Sequence, residues 1–253
     1  MLWHRAQDQN SNRRKRSRIC GLSGNKNCRS HSSTNWILDK KTLQESLNLF
    51  ITGTDTGVGK TYITNLLLSS MIKRNQSAVG FKPISCGDRN DAELILSSSY
   101  PTPNSIDLIN PVHLKTPAAP LAASLIEGKD VNLDLIKKHH QELKNSYDNV
   151  IVEGAGGWAV PITAKYNIGD LAAELCSEVL IVVNNKLGAL NKTILTYNAI
   201  RDKGLKLAGI ILNHVEAERD TASISNKTIL EEIINPPIII DILHGETEIE
   251  CPF

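Results

Sequence analysis

From Leu47 onward, short and almost unbroken apolar runs alternate with longer stretches in which hydrophobic and polar residues mix. The runs are Leu47–Thr52, Ala78–Lys82, Asn149–Val152, Val179–Val183, Leu207–Leu212 and Ile238–Ile242. They are rich in β-branched residues and lack strict alternation, which is how strands read in a parallel sheet covered on both faces. Helical patterning fills Lys60–Lys73, Ala118–Glu127, Leu133–Ser146, Ile168–Leu175, Leu190–Lys203 and Thr221–Ile234. Strand and helix in alternation predict an α/β fold with a doubly wound, mostly parallel sheet. Ligands of such sheets sit at the carboxyl ends of the strands. The pattern contains no internal repeat.

Residues 1–44 break this pattern, being rich in Ser, Asn and Arg without an apolar period. They carry ten Lys/Arg against Asp8 and Asp39, while the rest of the chain holds 18 Lys/Arg against 25 Asp/Glu. Three readings stay open: a disordered extension or residues translated ahead of the natural start, an Arg-rich organelle-targeting peptide, or a nucleic-acid patch on "RRKRSR". The composition favours a basic, disordered extension over 1–44, preceding one α/β domain over 45–253. No aromatic platform is interleaved with the basic residues, so nucleic acid is not an expected partner. Five scattered cysteines with no CxxC point to reduced thiols and a cytoplasmic setting. No run of ~18 apolar residues is present to span a membrane.

The stretch "FITGTDTGVGKTYIT" lies where a strand gives way to a helix. Its Gly53, Gly57 and Gly59 let the backbone turn and aim N–H groups inward at a helix start, a nest for phosphate. Lys60 is placed to reach the β- and γ-phosphates and the Thr61 hydroxyl to hold Mg²⁺, as in a P-loop. The spacing is one residue longer than G-x-x-x-x-G-K-[ST], because "TDTGV" separates Gly53 from Gly59-Lys60-Thr61. A Gly-rich turn without ligand is the bland alternative, and Lys-Thr at the helix start weighs against it. The fold expected is thus of the P-loop NTPase type.

Phosphate chemistry also needs acids for the metal and cations for the transition state. Lys82 ends the second apolar run, Asp91 follows in "RNDAEL", and Glu153 ends the run in "NVIVEGAGG". Asp91 reads either as a helix cap or as a metal-side acid. Glu153 reads as a Walker-B-type acid at a strand end, with a merely solvated end as the alternative.

Taken in order, "GTDTGVGKT", "FKPIS", "RNDA", "NPV", "PLAAS", "VEGAGGW", "VVNNKLGALN" and "LAGIILN" resemble the dethiobiotin synthetase family over about residues 47–242. The longer P-loop is that family's own form. The resemblance implies an ATP-dependent carbon–nitrogen ligase, a cyclo-ligase, acting on 7,8-diaminononanoate, CO2 and ATP with Mg²⁺. One amine takes up CO2 as a carbamate, and a carbamate oxygen attacks the ATP γ-phosphate. The second amine then closes the ureido ring and expels phosphate, leaving dethiobiotin and ADP.

The resemblance also implies site roles. Lys82, Lys60 and Thr56 are expected at the phosphate–carbamate junction, and Thr61, Asp91 and Glu153 at Mg²⁺. Gly57, Val58, Gly59, Tyr62, Gly154, Ala155 and Gly156 are expected around the nucleotide. Asn213 and His214, with Ile234, Asn235, Pro236 and Asp241, are expected to form the adenosine pocket, although Asn213 also reads as a turn residue after a strand. Cys86 is expected beside the substrate, and Gly188, Ala189, Leu190 and Asn191 to meet its far carboxylate from a second subunit, which implies a homodimer.

Some positions depart from the family pattern. Cys86 stands where a serine is expected, and Ala119 and Leu121 replace polar residues after Pro117. Both changes remove hydrogen-bonding groups from the substrate side. A partitioning-type switch ATPase of the same superfamily is the alternative. It calls for an extra lysine early in the loop, where this chain has Thr54 and Asp55.

Overall fold

The computed structural model describes residues 46–253. The expectation of an extension over 1–44 lies outside them. Six parallel strands form the central sheet: β1 (Leu47–Gly53), β2 (Ala78–Phe81), β5 (Asn149–Gly157), β8 (Glu178–Asn184), β9 (Lys206–Asn213) and β10 (Ile239–Ile242), in the order β10-β9-β8-β1-β5-β2. Each corresponds to one of the apolar runs in the sequence. They are buried because helices cover both faces: Phe50, Val152 and Val179 point into one hydrophobic cluster, Leu49, Ile51 and Ile151 into the other.

The six helices read from the sequence are α1 (Lys60–Lys73), α4 (Pro120–Glu127), α5 (Leu133–Ser146), α6 (Ile168–Leu175), α7 (Ala189–Asp202) and α8 (Thr221–Ile233). Helix α4 starts two residues later than the pattern indicates, because Pro120 holds Ala119 extended and serves as the first helical residue itself. Six short elements went unread: β3 (Ile84–Cys86), α2 (Asn90–Ser97), α3 (Ile106–Ile109), β4 (Val112–Leu114), β6 (Pro161–Thr163) and β7 (Tyr166–Asn167). β3 and β4 form a small parallel pair of their own, and β6 and β7 an antiparallel one.

One correction bears on function. β5 does not stop at Val152 but continues to Gly157, so Glu153 is an interior strand residue, opposite Ile51 and fully buried. The sequence reads Glu153 as an acid at the end of the strand, whereas the strand runs on four residues past it. Here the carboxylate finds an ion-pair partner inside, which is what permits its burial.

Among the described residues Cys86, Cys176 and Cys251 are free, and no helix is long and apolar enough to cross a membrane.

Candidate functional site

The carboxyl ends of β1, β2 and β5 open onto a cavity of about 670 Å³. It is lined by Thr56, Gly57, Gly59, Lys60, Thr61, Lys82, Asp91 and Glu153 together with Ile84, Ser85, Cys86, Asp88, Pro117, Ala118, Ala119, Pro120 and Val160. Residues spread over a hundred positions of sequence thus meet at one point because three parallel strands end side by side.

The loop from Thr54 to Gly59 wraps the start of α1. Gly59 sits in the left-handed region at φ +90°, a conformation that favours glycine. Lys60 is buried and its Nζ donates to the Asp55 carbonyl at 3.3 Å, curling the lysine back over the loop. Burial, helped by the nearby positive charge of Lys82, lowers the Lys60 ammonium to about 8.

Glu153 is the hub. Its Oε1 lies 2.5 Å from Lys82 Nζ and accepts from the Thr61 hydroxyl at 2.9 Å, while Oε2 is 3.0 Å from the Thr64 hydroxyl. Lys82 also reaches Asp91 Oδ2 at 3.0 Å. Burial disfavours the Lys82 ammonium, but the two carboxylates outweigh it and hold the lysine above its ordinary value. Asp91 is likewise pulled down by Lys82 against a partial burial cost. Asp91 is no cap: Arg89 precedes α2 and Asp91 lies within its first turn.

These oxygens suit a hard divalent cation. Mg²⁺ is commonly held by one or two carboxylates, with phosphate oxygens and water completing its octahedron. Thr61, Asp91 and Glu153 supply a hydroxyl and two carboxylates at the mouth of the loop. Among the described residues no group of three or more His, Cys, Asp or Glu forms an independent metal cage. The donor set therefore fits a cation that shares its ligands with a phosphate.

Residues that the sequence did not single out support this centre. Thr64, one helical turn past Lys60, abuts the second oxygen of Glu153. Asn110 donates to the Lys82 carbonyl at 2.7 Å and accepts from Ser85 and Arg89, fixing the end of β2. Asn110 was visible in "NPV", but only the tertiary fold shows what it holds.

The remaining residues expected at the site divide into groups. Gly154 is packed against Phe50 and Ile168 inside β5, whereas Ala155 and Gly156 line the cavity beside Thr56. Tyr62 packs with the cluster beneath α1. Cys86 lies on the cavity wall, and burial pushes its thiol up, as suits a packing residue better than a nucleophile.

Asn213 and His214 are both buried at the end of β9 and do not line this cavity. Asn213 Nδ2 donates to the Val58 carbonyl at 2.9 Å. His214 Nε2 lies 3.1 Å from Asp241 Oδ1, and Asn185 and Asn226 complete a buried polar network behind them. Ile234, Asn235 and Pro236 form the turn that ends α8, with Asn235 left-handed at φ +48°.

Gly188, Ala189, Leu190 and Asn191 stand apart from the main cavity. Gly188 precedes α7, and with Ala189 it lines a smaller hollow of about 140 Å³ behind the loop. There Lys192 Nζ contacts Asp55 Oδ2 at 2.6 Å.

Comparison with known proteins agrees with this architecture. The family profile described as an AAA domain matches residues 47–240. An ATP-dependent dethiobiotin synthetase of Akkermansia muciniphila is 42% identical over 199 residues, covering 79% of this chain and 93% of that protein. The corresponding proteins of Aquifex aeolicus (41% identical, 74% of this chain and 84% of theirs) and Methanocaldococcus jannaschii (39%, 65% and 78%) are also similar. Among solved structures, a Cyanothece McdA variant in complex with ATP superposes with TM-score 0.51 at 14% identity, covering 80% of this chain and 85% of that one. A ParA family ATPase of Chlorobium tepidum gives 0.50 at 16%, covering 80% and 86%. At such identities the structural likeness speaks to the fold alone. Sequence identity across most of both chains decides the matter: this chain belongs to the ATP-dependent dethiobiotin synthetase family.

Proposed function

We propose that this protein is a dethiobiotin synthetase, an ATP-dependent ligase that carboxylates 7,8-diaminononanoate and closes its ureido ring. The observation that carries this reading is that one cavity gathers Lys60, Lys82, Asp91 and Glu153 next to the loop together with the apolar side chains of Ile84, Pro117, Pro120 and Val160. An alkyl diamine has the matching shape, with amines to place at the polar end and a hydrocarbon chain to bury along Ile84, Cys86, Pro117 and Val160.

One amine adds to CO2 and loses a proton, giving a carbamate. The carbamate and the triphosphate are both anions, so they approach only if cations screen both. Lys60 would hold the β- and γ-phosphates while Lys82 bridges the transferring phosphoryl group and the carbamate oxygen. Thr56, on the cavity wall beside Gly156, would donate at the same junction. Thr61, Asp91 and Glu153 would hold Mg²⁺, which supplies charge neutralisation across the β- and γ-phosphates when bound. The carbamate oxygen takes the γ-phosphoryl group of ATP, with ADP as the leaving group, and the second amine attacks the carbonyl carbon, loses its proton and expels phosphate. Ring closure is intramolecular, so positioning alone contributes much of its rate.

The end of β9 abuts the loop, where Asn213 donates to the Val58 carbonyl at 2.9 Å. The adenosine end of ATP would extend past this contact, with Asn213, His214, Ile234, Asn235, Pro236 and Asp241 around it. The Gly188–Asn191 segment would meet the substrate carboxylate of a second protomer, making the working unit a homodimer; a cytoplasmic location belongs to the same proposal. The test is phosphate release from MgATP with bicarbonate, with and without the diamine. Diamine-dependent release accompanied by dethiobiotin is expected, and release indifferent to the diamine would reject the reading.

A further inference from the structure

Asn213 spends its amide on the phosphate loop. Its Nδ2 donates to the Val58 carbonyl at 2.9 Å, and both residues are buried, at 4% and 2% exposure. The contact is tight: a Cβ on Gly59 would fall 2.2 Å from that same nitrogen. Asn213 is itself held rigidly. Its backbone pairs in register with Asn184 of β8 and Ile242 of β10, and its carbonyl accepts from the Asn185 N–H at 2.9 Å.

A trans peptide is planar, with its C=O and N–H pointing in opposite directions. Fixing the Val58 carbonyl toward β9 therefore turns the Gly59 N–H the other way. Gly59 lines the cavity and Asn213 does not, so the N–H is aimed to the side where the phosphates are read to bind. Here the geometry points to Asn213 as a positioning residue for the phosphate loop: a strut from the sheet that orients the Gly59 N–H toward the nucleotide's phosphates. This inference rests on the ATP-site reading above and adds to it a role for Asn213 at the phosphate end, beside its place at the adenosine.

A strut and a base contact differ in which ligands feel their loss. MgATP, AMP and magnesium tripolyphosphate are titrated calorimetrically into the full-length protein and into Asn213→Ala. AMP keeps the base but lacks the β- and γ-phosphates; tripolyphosphate keeps the phosphates and lacks the base. Removing the strut is expected to weaken tripolyphosphate about tenfold or more, and MgATP by more than AMP, since AMP feels only the loss of Asn213 from the adenosine pocket. Asn213→Ser, which keeps a hydroxyl in the buried site but cannot span to Val58, is expected to reproduce the pattern if the alanine variant folds poorly. Equal weakening of MgATP and AMP with unchanged tripolyphosphate would overturn the strut, as would no change in any of the three. Failure of the unaltered protein to bind MgATP would instead refute the ATP-site reading itself.

Discussion

Lys82 Nζ lies 2.5 Å from Glu153 Oε1, with the lysine side chain 6% exposed and the glutamate wholly enclosed. Each charge is tolerable in the interior only because of the other. Lys82→Ala leaves a buried carboxylate uncompensated, and the expected loss of stability is about 3–5 kcal/mol. Under the proposed mechanism the same change also removes a cation from the reacting oxygens, and turnover is expected to fall by about 10²–10³. The stability effect is isolated in Lys82→Ala/Glu153→Gln, which neutralises the stranded acid but also removes a carboxylate read to hold Mg²⁺. Urea unfolding should show most of the stability restored, while diamine-dependent phosphate release stays lost. Recovery of turnover in the double variant would deny Lys82 its role at the junction.

Lys60 makes nucleotide binding sensitive to pH. Burial lowers its ammonium to about 8 in the free protein. A triphosphate brings negative charge beside it and raises that value. Binding of MgATP at pH 8–9 should therefore take up a proton, and affinity should fall as pH rises through about 8. Calorimetry in two buffers of different ionisation heat reads the uptake directly, and Lys60→Met should abolish it. Binding without proton uptake in the unaltered protein would contradict this placement of Lys60.

A second buried group controls stability on the acid side. His140 packs on Phe81, contacts Asn48 Oδ1 through Nε2 at 2.9 Å, and is lowered to about 4 by burial, with Lys144 assisting. Its folded value lies below the ordinary imidazole value of 6.5, so the unfolded chain takes up the proton first as pH falls. The protein should lose stability from about pH 6.5 down to about 4, by roughly 2–3 kcal/mol in all. In His140→Gln, which keeps a donor for Asn48, chemical denaturation at pH 7 and pH 5 should show a smaller difference than in the parent. An equal difference would remove His140 as the cause.

Gly169 is a packing constraint behind the cavity. A Cβ there would come within 2.6 Å of the Trp158 ring, which is buried in the larger hydrophobic cluster. Gly169→Ala should destabilise the fold by about 1–3 kcal/mol through this crowding. Thermal unfolding with tryptophan fluorescence should show a lowered midpoint and a perturbed Trp158 signal. An unshifted midpoint would mean that the ring moves aside freely.

The central sheet was legible because strands buried on both faces are written as continuous apolar runs, each bounded by a helix pattern. The loop from Gly53 to Thr61 was legible from glycine spacing and the Lys-Thr pair. What sequence periodicity missed was the length of β5, since a strand that runs on through the carboxylate of Glu153 makes sense only once Lys82 is seen beside it. Thr64 was invisible for the same reason: its contact with Glu153 joins residues 89 positions apart. The short pairs β3–β4 and β6–β7 carry too few residues to show any period. Asn213 was noticed, but its amide partner on the loop depends on how β9 meets the turn into α1.

The central claim is that a carbamate oxygen, screened by Lys60 and Lys82, attacks the terminal phosphate of ATP within this cavity. That route fixes the fate of one atom: the bridging oxygen leaves with phosphate when the ring closes. Bicarbonate labelled with heavy oxygen, used with the diamine and MgATP over times short against exchange with water, should deliver one labelled oxygen to each phosphate released. Phosphate that carries no label while dethiobiotin forms would contradict the account.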